Sequence, residues 1–294
     1  AREGKLLWEI GDPAGVGGGD PRLANAFFLG APLPLQGMLY VLAEVSGEVR
    51  LVAINARTGA LEWQQQLAHL EARSIAMDPM RRLAGATPSY ADGVLICPTS
   101  AGAVVAVDVA TRSLLWGFQY TPAQPENNRN GVFFPRGMMA QQVRPLGQRW
   151  ADATVTLADG RVLVTPVESD EAYCLDLLTG KLLWPAQKRG DLLYVGGVYD
   201  GKAILVGKQS ISTLKLADGT PGWTAAVEFP DGGLVTGRGL QSEHHYYVPT
   251  SASQLIRVDL KTGKIDQQVR TERPLGNLVS YQDEIISHSI DGLS

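Results

Sequence analysis

The sequence predicts an all-β protein built from repeated four-stranded antiparallel units. Charged residues make up 19% of its 294 residues, whereas glycines and prolines number 33 and 17. This composition favours short strands joined by tight turns over long surface helices. Two further observations support the prediction: a tryptophan recurs at a fixed place after a glycine-type turn, and a short apolar strand precedes most of these turns.

The tryptophan repeat defines the units. Five of the six tryptophans end a segment of the Thr-Gly-x-x-x-Trp type, and a sixth copy keeps the turn but ends in Gln267. These five anchors are Trp8, Trp63, Trp116, Trp184 and Trp223. Successive copies are separated by 55, 53, 68, 39 and 44 residues. We expect each indole to fill the gap between adjacent sheets, with its N–H bonded to a carbonyl group.

The turn before each tryptophan is encoded locally. Four copies carry Asn or Asp eight residues before the anchor position, at Asn55, Asp108, Asp176 and Asp259, and the copy at Trp223 has Lys215 there. A short polar side chain at this point can bond the backbone N–H groups of the coming turn, and glycine accepts the positive φ that closes it. The turn glycines are Gly59, Gly180, Gly219 and Gly263. We expect these residues to anchor the units structurally.

A second strand pair lies before each of these hairpins, so that one unit holds about four strands. Units of this kind are the size of β-propeller blades. Residues 277–289 form the first half of a unit and residues 3–8 the second half of one, which predicts a ring closed by pairing of the terminal strands. The repeat count predicts six blades, and the long interval between Trp116 and Trp184 leaves seven or eight open. We expect residues 1–294 to be one domain of a longer chain.

Charge and hydropathy argue against several partners. The net charge is −4 with a pI near 5.6, and lysine and arginine are scattered rather than gathered in a stripe, which argues against nucleic acid. No apolar run is long enough to cross a bilayer, and the N-terminus lacks the apolar core of a signal peptide.

Metal-binding and catalytic motifs are also lacking. Cys97 and Cys174 lie 77 residues apart in apolar runs and are interpreted as buried structural thiols. His244 and His245 are adjacent in a predicted strand and face opposite sides, which disfavours a shared metal ion. The glycine-rich residues 15–19 are interpreted as a surface loop rather than a phosphate loop. No residue is therefore assigned a catalytic, cofactor-binding or metal-binding role.

The repeat resembles that of the pyrroloquinoline-quinone (PQQ) propeller family. Residues 106–116 match its A-x-D-x-x-T-G-x-x-x-W pattern most closely, with Arg112 in place of the glycine. The resemblance implies two functional branches. Quinoprotein dehydrogenases hold the quinone over the ring axis with a calcium site of Glu and Asn, an Asp base and a disulfide between neighbouring cysteines. This sequence has no adjacent cysteines, is about half the size that such catalytic domains imply, and offers no assignable set of ligands.

The other branch is non-catalytic and similar to the outer-membrane assembly lipoprotein of Gram-negative bacteria. We favour this branch, which implies a protein-interaction scaffold in the periplasm or another extracytoplasmic compartment of a bacterium. Its partner would be another protein or a neighbouring domain of the same chain, and no cofactor is expected. The alternatives are a PQQ-dependent dehydrogenase or a degenerate relative of one, which would need PQQ and calcium, and a carbohydrate-binding propeller.

Two insertions interrupt the repeat, at residues 67–88 and 117–150, and part of the first is expected to form a short helix. Function is often carried by such loops. The candidate partner-binding residues of the second insertion are Phe133, Phe134, Arg136, Arg144, Arg149 and Trp150. Exposed aromatic residues beside arginines are typical of protein-binding hot spots. The alternative is that Phe133, Phe134 and the methionines of this insertion only pin the loop onto the ring.

Overall fold

The computed structural model describes residues 4–11, 20–70, 75, 78–123, 148–282, 284–289 and 292–293. The chain divides into two compact units, residues 1–182 (unit 1) and residues 183–294 (unit 2). Antiparallel sheets account for nearly all of the regular structure in the described residues, together with one helical turn, α1 (Pro79–Arg82), and two short 3-10 turns (Pro21–Leu23 and Pro230–Gly232). The all-β prediction is therefore confirmed, and α1 is the short helix expected in the first insertion.

Unit 1 contains three sheets. The first comprises β1 (Phe27–Phe28), β2 (Leu33–Leu35), β3 (Met38–Val45), β4 (Glu48–Asn55) and β5 (Leu61–His69), in the order β1-β3-β4-β5 with β2 also paired to β3. The second has the order β6 (Ser89–Ala91), β7 (Val94–Pro98), β8 (Ala103–Asp108) and β9 (Leu114–Gln119). The third contains β10 (Thr156–Ala158), β11 (Arg161–Val164) and β12 (Glu171–Asp176) in that order.

Unit 2 begins with the short strand β13 (Gln187–Lys188). The first sheet that lies wholly in unit 2 has the order β14 (Leu192–Tyr199), β15 (Lys202–Gly207), β16 (Ser210–Lys215) and β17 (Val227–Glu228). The following sheet has the order β18 (Leu240–Gln241), β19 (His245–Thr250), β20 (Gln254–Asp259) and β21 (Lys264–Arg270). The last comprises β22 (Asn277–Tyr281), β23 (Glu284–Ser289) and β24 (Gly292–Leu293).

Tight hairpins join the first two long strands of several sheets. In unit 1, Asp92 and Gly93 have φ values of 48° and 83°, and Asp159 and Gly160 have values of 50° and 68°. Two consecutive residues with positive φ define a type I′ turn, whose twist matches that of the strands it connects. The Asp-Gly pairs therefore form the turns that lead into β7 and β11.

Burial is uneven across the second sheet. All five residues of β7 are buried, whereas β9 at the outer edge of the same sheet is mostly exposed. The reason is that this sheet has a neighbour on each side in unit 1, so its inner strands are covered on both faces. The number of blades, the closure of the ring and the single-domain organisation stay predictions.

Candidate functional site

The recurrent tryptophans bond to the turn of a neighbouring sheet. In unit 1, Trp8 Nε1 donates to the carbonyl of Ala56 at 3.2 Å, and Trp116 Nε1 donates to that of Leu177 at 2.9 Å. In unit 2, the acceptors of Trp184 and Trp223 are the carbonyls of Leu216 and Leu260, both at 3.2 Å. Each acceptor residue directly follows the position that lies eight residues before the next tryptophan of the repeat. For Leu260 the count runs to Gln267, which replaces the tryptophan in the last copy. The same chemical contact thus joins successive sheets within each unit.

The turn glycines leave room for these rings. A Cβ atom added at Gly180 would lie 2.5 Å from the Trp116 ring, and one added at Gly263 would lie 2.6 Å from the Trp223 ring. Gly59 and Gly219 have the same relation to Trp8 and Trp184, at 2.7 and 2.9 Å. All four glycines also have positive φ. Both conformation and space therefore require glycine at these positions.

The junction at Trp63 departs from this pattern. Arg112 occupies the glycine position with a φ of 61°, and its guanidinium lies 5.7 Å from the centre of the Trp63 ring. The Trp63 ring also packs edge-on against Tyr40 at 5.9 Å. A cation–π contact of this kind contributes about 0.5–1 kcal/mol at an exposed site. The arginine therefore replaces the close ring-to-glycine packing with a contact from its charged end.

The aspartates that precede the turns accept several hydrogen bonds. Asp176 Oδ1 accepts from the hydroxyl of Thr179 at 2.7 Å and from the backbone N–H groups of Thr179 and Leu178 at 2.8 and 3.1 Å. These bonds, that from the Thr179 hydroxyl foremost, lower the pKa of Asp176. Asp108 and Asp259 bond their own turns in the same manner, and their pKa values are lowered likewise.

The lowered pKa of Asp176 predicts a contribution to acid sensitivity. A carboxyl group whose pKa is lower in the folded than in the unfolded chain stabilises the fold above its unfolded pKa of about 3.9, and the contribution is lost as the pH falls through the folded pKa. We therefore expect acidification through this range to lower the melting temperature of Asp176→Asn by less than that of the unmodified chain. Thermal unfolding followed by circular dichroism measures the difference. Equal losses in the two proteins would contradict the assignment.

The second insertion is anchored to the third sheet at its C-terminal end. Trp150 has no exposed surface, and its Nε1 donates to the carbonyl of Glu171 at 3.2 Å. Arg149 is 4% exposed and donates to the carbonyl of Trp150 at 3.1 Å. The expectation that these two side chains are exposed in a partner-binding loop is thus not met, since both are used within unit 1. Their burial anchors the described C-terminal end of the insertion to unit 1.

The other predicted residues of this loop, Phe133, Phe134, Arg136 and Arg144, lie outside the described residues. Partner binding by them stays a prediction.

The N-terminal end of the insertion meets a buried carboxylate that the sequence analysis missed. The hydroxyl of Tyr120 donates to Glu168 Oε1, and the N–H of Ala123 donates to the Glu168 carbonyl at 2.7 Å. The N–H of Gly102 approaches the same Oε1 at 3.4 Å. Glu168 Oε2 is buried and has no hydrogen-bond partner among the described residues. Glu168 therefore ties the second sheet to the segment that precedes β12.

Burial raises the pKa of Glu168, the negative charge of Asp78 raises it further, and the hydrogen bond from Tyr120 opposes the increase. A carboxyl group with a raised folded pKa stabilises the protein fully below its unfolded pKa of about 4.3, and that stabilisation is lost as the pH rises through the folded pKa. No sequence pattern pointed to this residue, because Tyr120 and Glu168 are 48 positions apart.

We expect Glu168→Gln to remove this pH dependence, since an amide cannot ionise. The stability of the variant relative to the unmodified chain should increase as the pH rises above about 4.3, because only the unmodified chain then carries a buried charge. Urea unfolding of both proteins across the mildly acidic to neutral range measures the difference in free energy. A difference that is independent of pH would show that folding does not raise the pKa of Glu168.

The chain lacks the disulfide between neighbouring cysteines that the dehydrogenase branch implies. Cys97 and Cys174 are buried in β7 and β12 and are not joined by a disulfide, and burial raises the pKa of Cys97, which makes it an unreactive thiol. No group of three or more histidine, cysteine or acidic side chains suited to a metal ion occurs among the described residues. His245, in unit 2, contacts Asp266 at 3.2 Å. We therefore derive no chemistry through these cofactors.

A family model described as outer membrane protein assembly factor BamB matches residues 1–134 and 138–283. The chain belongs to this family. The PQQ-like repeat inferred from the tryptophan spacing is thereby confirmed. No curated protein matches the sequence.

Solved structures similar to this BamB-family chain share little sequence with it. BamB from Moraxella catarrhalis is 16% identical with a TM-score of 0.44, and the match covers 92% of this chain and 85% of that BamB chain. A europium-containing methanol dehydrogenase is 12% identical with a TM-score of 0.53, and the match covers 83% of this chain and 52% of the dehydrogenase. At this identity the likeness to the dehydrogenase shows the fold alone. Among the described residues, no helix is both long and apolar enough to cross a membrane.

Proposed function

We propose that this chain is a non-catalytic scaffold of the bacterial envelope, located in the periplasm, that binds a protein engaged in outer-membrane protein assembly. The observation that carries the proposal is the family match over nearly the whole chain, because the family is described as an outer-membrane protein assembly factor. The scaffold needs neither PQQ nor calcium.

The contacts at the two described ends of the second insertion support a binding role for the residues between them. The described ends of the insertion are held on one side by Tyr120 and Glu168 and on the other by Trp150 and Glu171. Binding residues are commonly carried by loops that a rigid scaffold positions. We place the partner contact on Phe133, Phe134, Arg136 and Arg144, whose residue types are enriched in protein interfaces.

Photo-crosslinking in the bacterium that carries the full-length protein tests the proposal. A photoreactive amino acid replaces Phe134, and the control places it at Lys261, an exposed turn residue of unit 2. We expect the protein in the envelope fraction and a crosslink from position 134, absent from position 261, to a protein of outer-membrane assembly identified by mass spectrometry. A cytoplasmic location, or no specific crosslink from position 134, contradicts the proposal.

A separate assay addresses the enzymatic alternative. The purified chain is mixed with PQQ and calcium and assayed for dye reduction with simple alcohols as substrates. The scaffold proposal predicts no turnover above the cofactor alone. Turnover that depends on the protein would overturn it.

A further inference from the structure

The indole of Trp63 differs from the other five in its hydrogen bonding. Five of the six tryptophan N–H groups donate to a main-chain carbonyl. Among the described residues nothing accepts a hydrogen bond from Trp63 Nε1, although the carbonyl of Val109, which directly follows Asp108, is the corresponding acceptor. Trp63 is half-buried, and its N–H is not one of the buried groups that lack a partner. The junction between the first and second sheets of unit 1 therefore presents an unused donor to solvent.

Arg112 accounts for this unused donor. The other four junctions have glycine at the same position, where an added Cβ atom would lie 2.5–2.9 Å from the tryptophan ring. Arginine carries that Cβ atom, so the Trp63 ring cannot pack as closely on the turn. The ring is contacted by the guanidinium instead, and its N–H donates no hydrogen bond to the turn carbonyl. One side chain thus changes both the packing and the hydrogen bonding of this junction.

Contacts within unit 1 do not offset the cost of Arg112. Its φ of 61° lies in the left-handed region, and this backbone costs an arginine more than an exposed cation–π contact returns. The hydrogen bond that the Trp63 indole does not make adds to the loss. Proteins break a local rule of this kind mainly at functional sites, where the residue serves a purpose other than stability. We therefore examined what the two side chains can bind.

The polar groups that Trp63 and Arg112 present are all donors. Arg112 is exposed, and in the part of the chain that the structure describes its guanidinium has no hydrogen-bond or ion-pair partner. Indole and guanidinium groups donate hydrogen bonds and cannot accept them. The carboxylate of the same turn, Asp108, is occupied by the N–H and hydroxyl of Thr111 at 2.6 and 2.8 Å. A site with several donors, a positive charge and no acceptor suits an anion.

The charge and shape of the site favour a carboxylate. One guanidinium supplies one positive charge, and Asp108 lies in the same turn, so a singly charged anion fits better than a phosphate dianion. The planar edge of a guanidinium matches the two oxygens of a carboxylate. Arg112 lies on an exposed turn, whereas sites for free small molecules are concave. A carboxylate carried by a protein therefore fits the site better than a free acid.

We propose that Trp63 and Arg112 form a binding site for an aspartate or glutamate side chain of a protein partner. The guanidinium donates to the two carboxylate oxygens, and the indole N–H supplies a further donor. The guanidinium already lies over the Trp63 ring, which lowers the entropic cost of binding. This proposal rests on the scaffold function and names a second contact for its protein partner, apart from the residues of the second insertion.

Proton–nitrogen correlation spectra of the intact chain with isotopically labelled tryptophan test the site directly. Each indole N–H gives one signal, and Trp63→Phe identifies that of residue 63. Without ligand, we expect the Trp63 proton to exchange with water about tenfold faster than the bonded proton of Trp116. The probe is a capped peptide of eight residues that alternates glycine and glutamate, and its control has glutamine in place of glutamate. We expect the glutamate peptide to shift the Trp63 signal saturably and the glutamine peptide to leave it unchanged.

Three variants separate binding from folding. Arg112→Gly should keep or raise the melting temperature, because glycine accepts the positive φ and leaves room for the ring, yet it should weaken peptide binding about tenfold. Arg112→Lys keeps the charge but loses the paired donors, and should weaken binding by about threefold. Arg57→Ala is the matched control, since it removes the same charge from an exposed residue in the corresponding turn of the first sheet, and it should leave binding unchanged.

The proposal is overturned if the glutamate peptide leaves the Trp63 signal unshifted at millimolar concentration, if Arg112→Gly or the glutamine peptide gives equal binding, or if Arg112→Gly melts at a lower temperature. Acetate or phosphate that shifts the signal as strongly as the peptide would assign the site to free anions and also overturn it. Failure of the peptide assay with a specific crosslink from position 134 would remove only the carboxylate site. Peptide binding without an envelope crosslink would remove only the envelope function.

Discussion

Replacing Gly180 by alanine is expected to lower the free energy of unfolding by about 2 to 5 kcal/mol. A left-handed backbone costs a residue with a Cβ atom about 1–2 kcal/mol, and overpacking a filled site costs about 1–3 kcal/mol more. Both costs apply here, because Gly180 has a φ of +66° and its added methyl group would lie 2.5 Å from the Trp116 ring. Equilibrium unfolding in urea measures the change.

Gly160→Ala is the matched control for this substitution. Gly160 has a φ of +68° in a hairpin of the same sheet, and an added Cβ atom meets nothing within 4 Å. The free energy of unfolding of Gly160→Ala should therefore fall only by the cost of the left-handed backbone, about 1–2 kcal/mol. A double variant with Trp116→Leu should lose less than the sum of the single losses, since the smaller side chain relieves the clash. Equal losses for Gly180→Ala and Gly160→Ala would show that ring packing does not set the requirement for glycine.

Replacing Trp150 by alanine is expected to cost about 3–5 kcal/mol, the range found for burial sites of large aromatic side chains. The side chain is wholly buried in unit 1, and its N–H satisfies the carbonyl of Glu171. Trp150→Phe should cost less, about 1–3 kcal/mol, because it fills most of the space but leaves that carbonyl unpaired. Thermal and urea unfolding of both variants measure the losses.

Leu178→Ala provides the comparison for Trp150. Leu178 is also a large apolar residue of unit 1, but it is 67% exposed, so its truncation should change stability by less than about 0.5 kcal/mol. If Trp150→Ala were as mild as Leu178→Ala, the indole would not pin the insertion. The exposed role that its residue type first suggested would then regain support.

The sequence predicted the roles of Asp176 and Gly180 but not that of Trp150. The turns that hold Asp176 and Gly180 are local: the hydrogen bonds of Asp176 span two or three residues, and the positive φ of Gly180 follows from the turn. Repetition of the pattern along the chain made it visible. Trp150 occurs once, outside the repeat, and residue type alone does not distinguish a buried indole from an exposed one.

The candidate site depends more on contacts between distant residues. Tyr120 and Glu168 are 48 positions apart, and Gly102 is 66 positions from Glu168. Contacts between residues so far apart produce no repeating pattern in the sequence.

From its sequence alone, this protein was determined to be all-β, built on tryptophan-anchored repeats and related to the PQQ-like propellers. Those properties reside in short segments whose turns and strands form from neighbouring residues. Only the tertiary structure decided that Trp150 is buried and that Glu168 holds the described N-terminal end of the second insertion. Burial, desolvation and open space are set by the packing of sheets that lie far apart along the chain, and no local pattern records them.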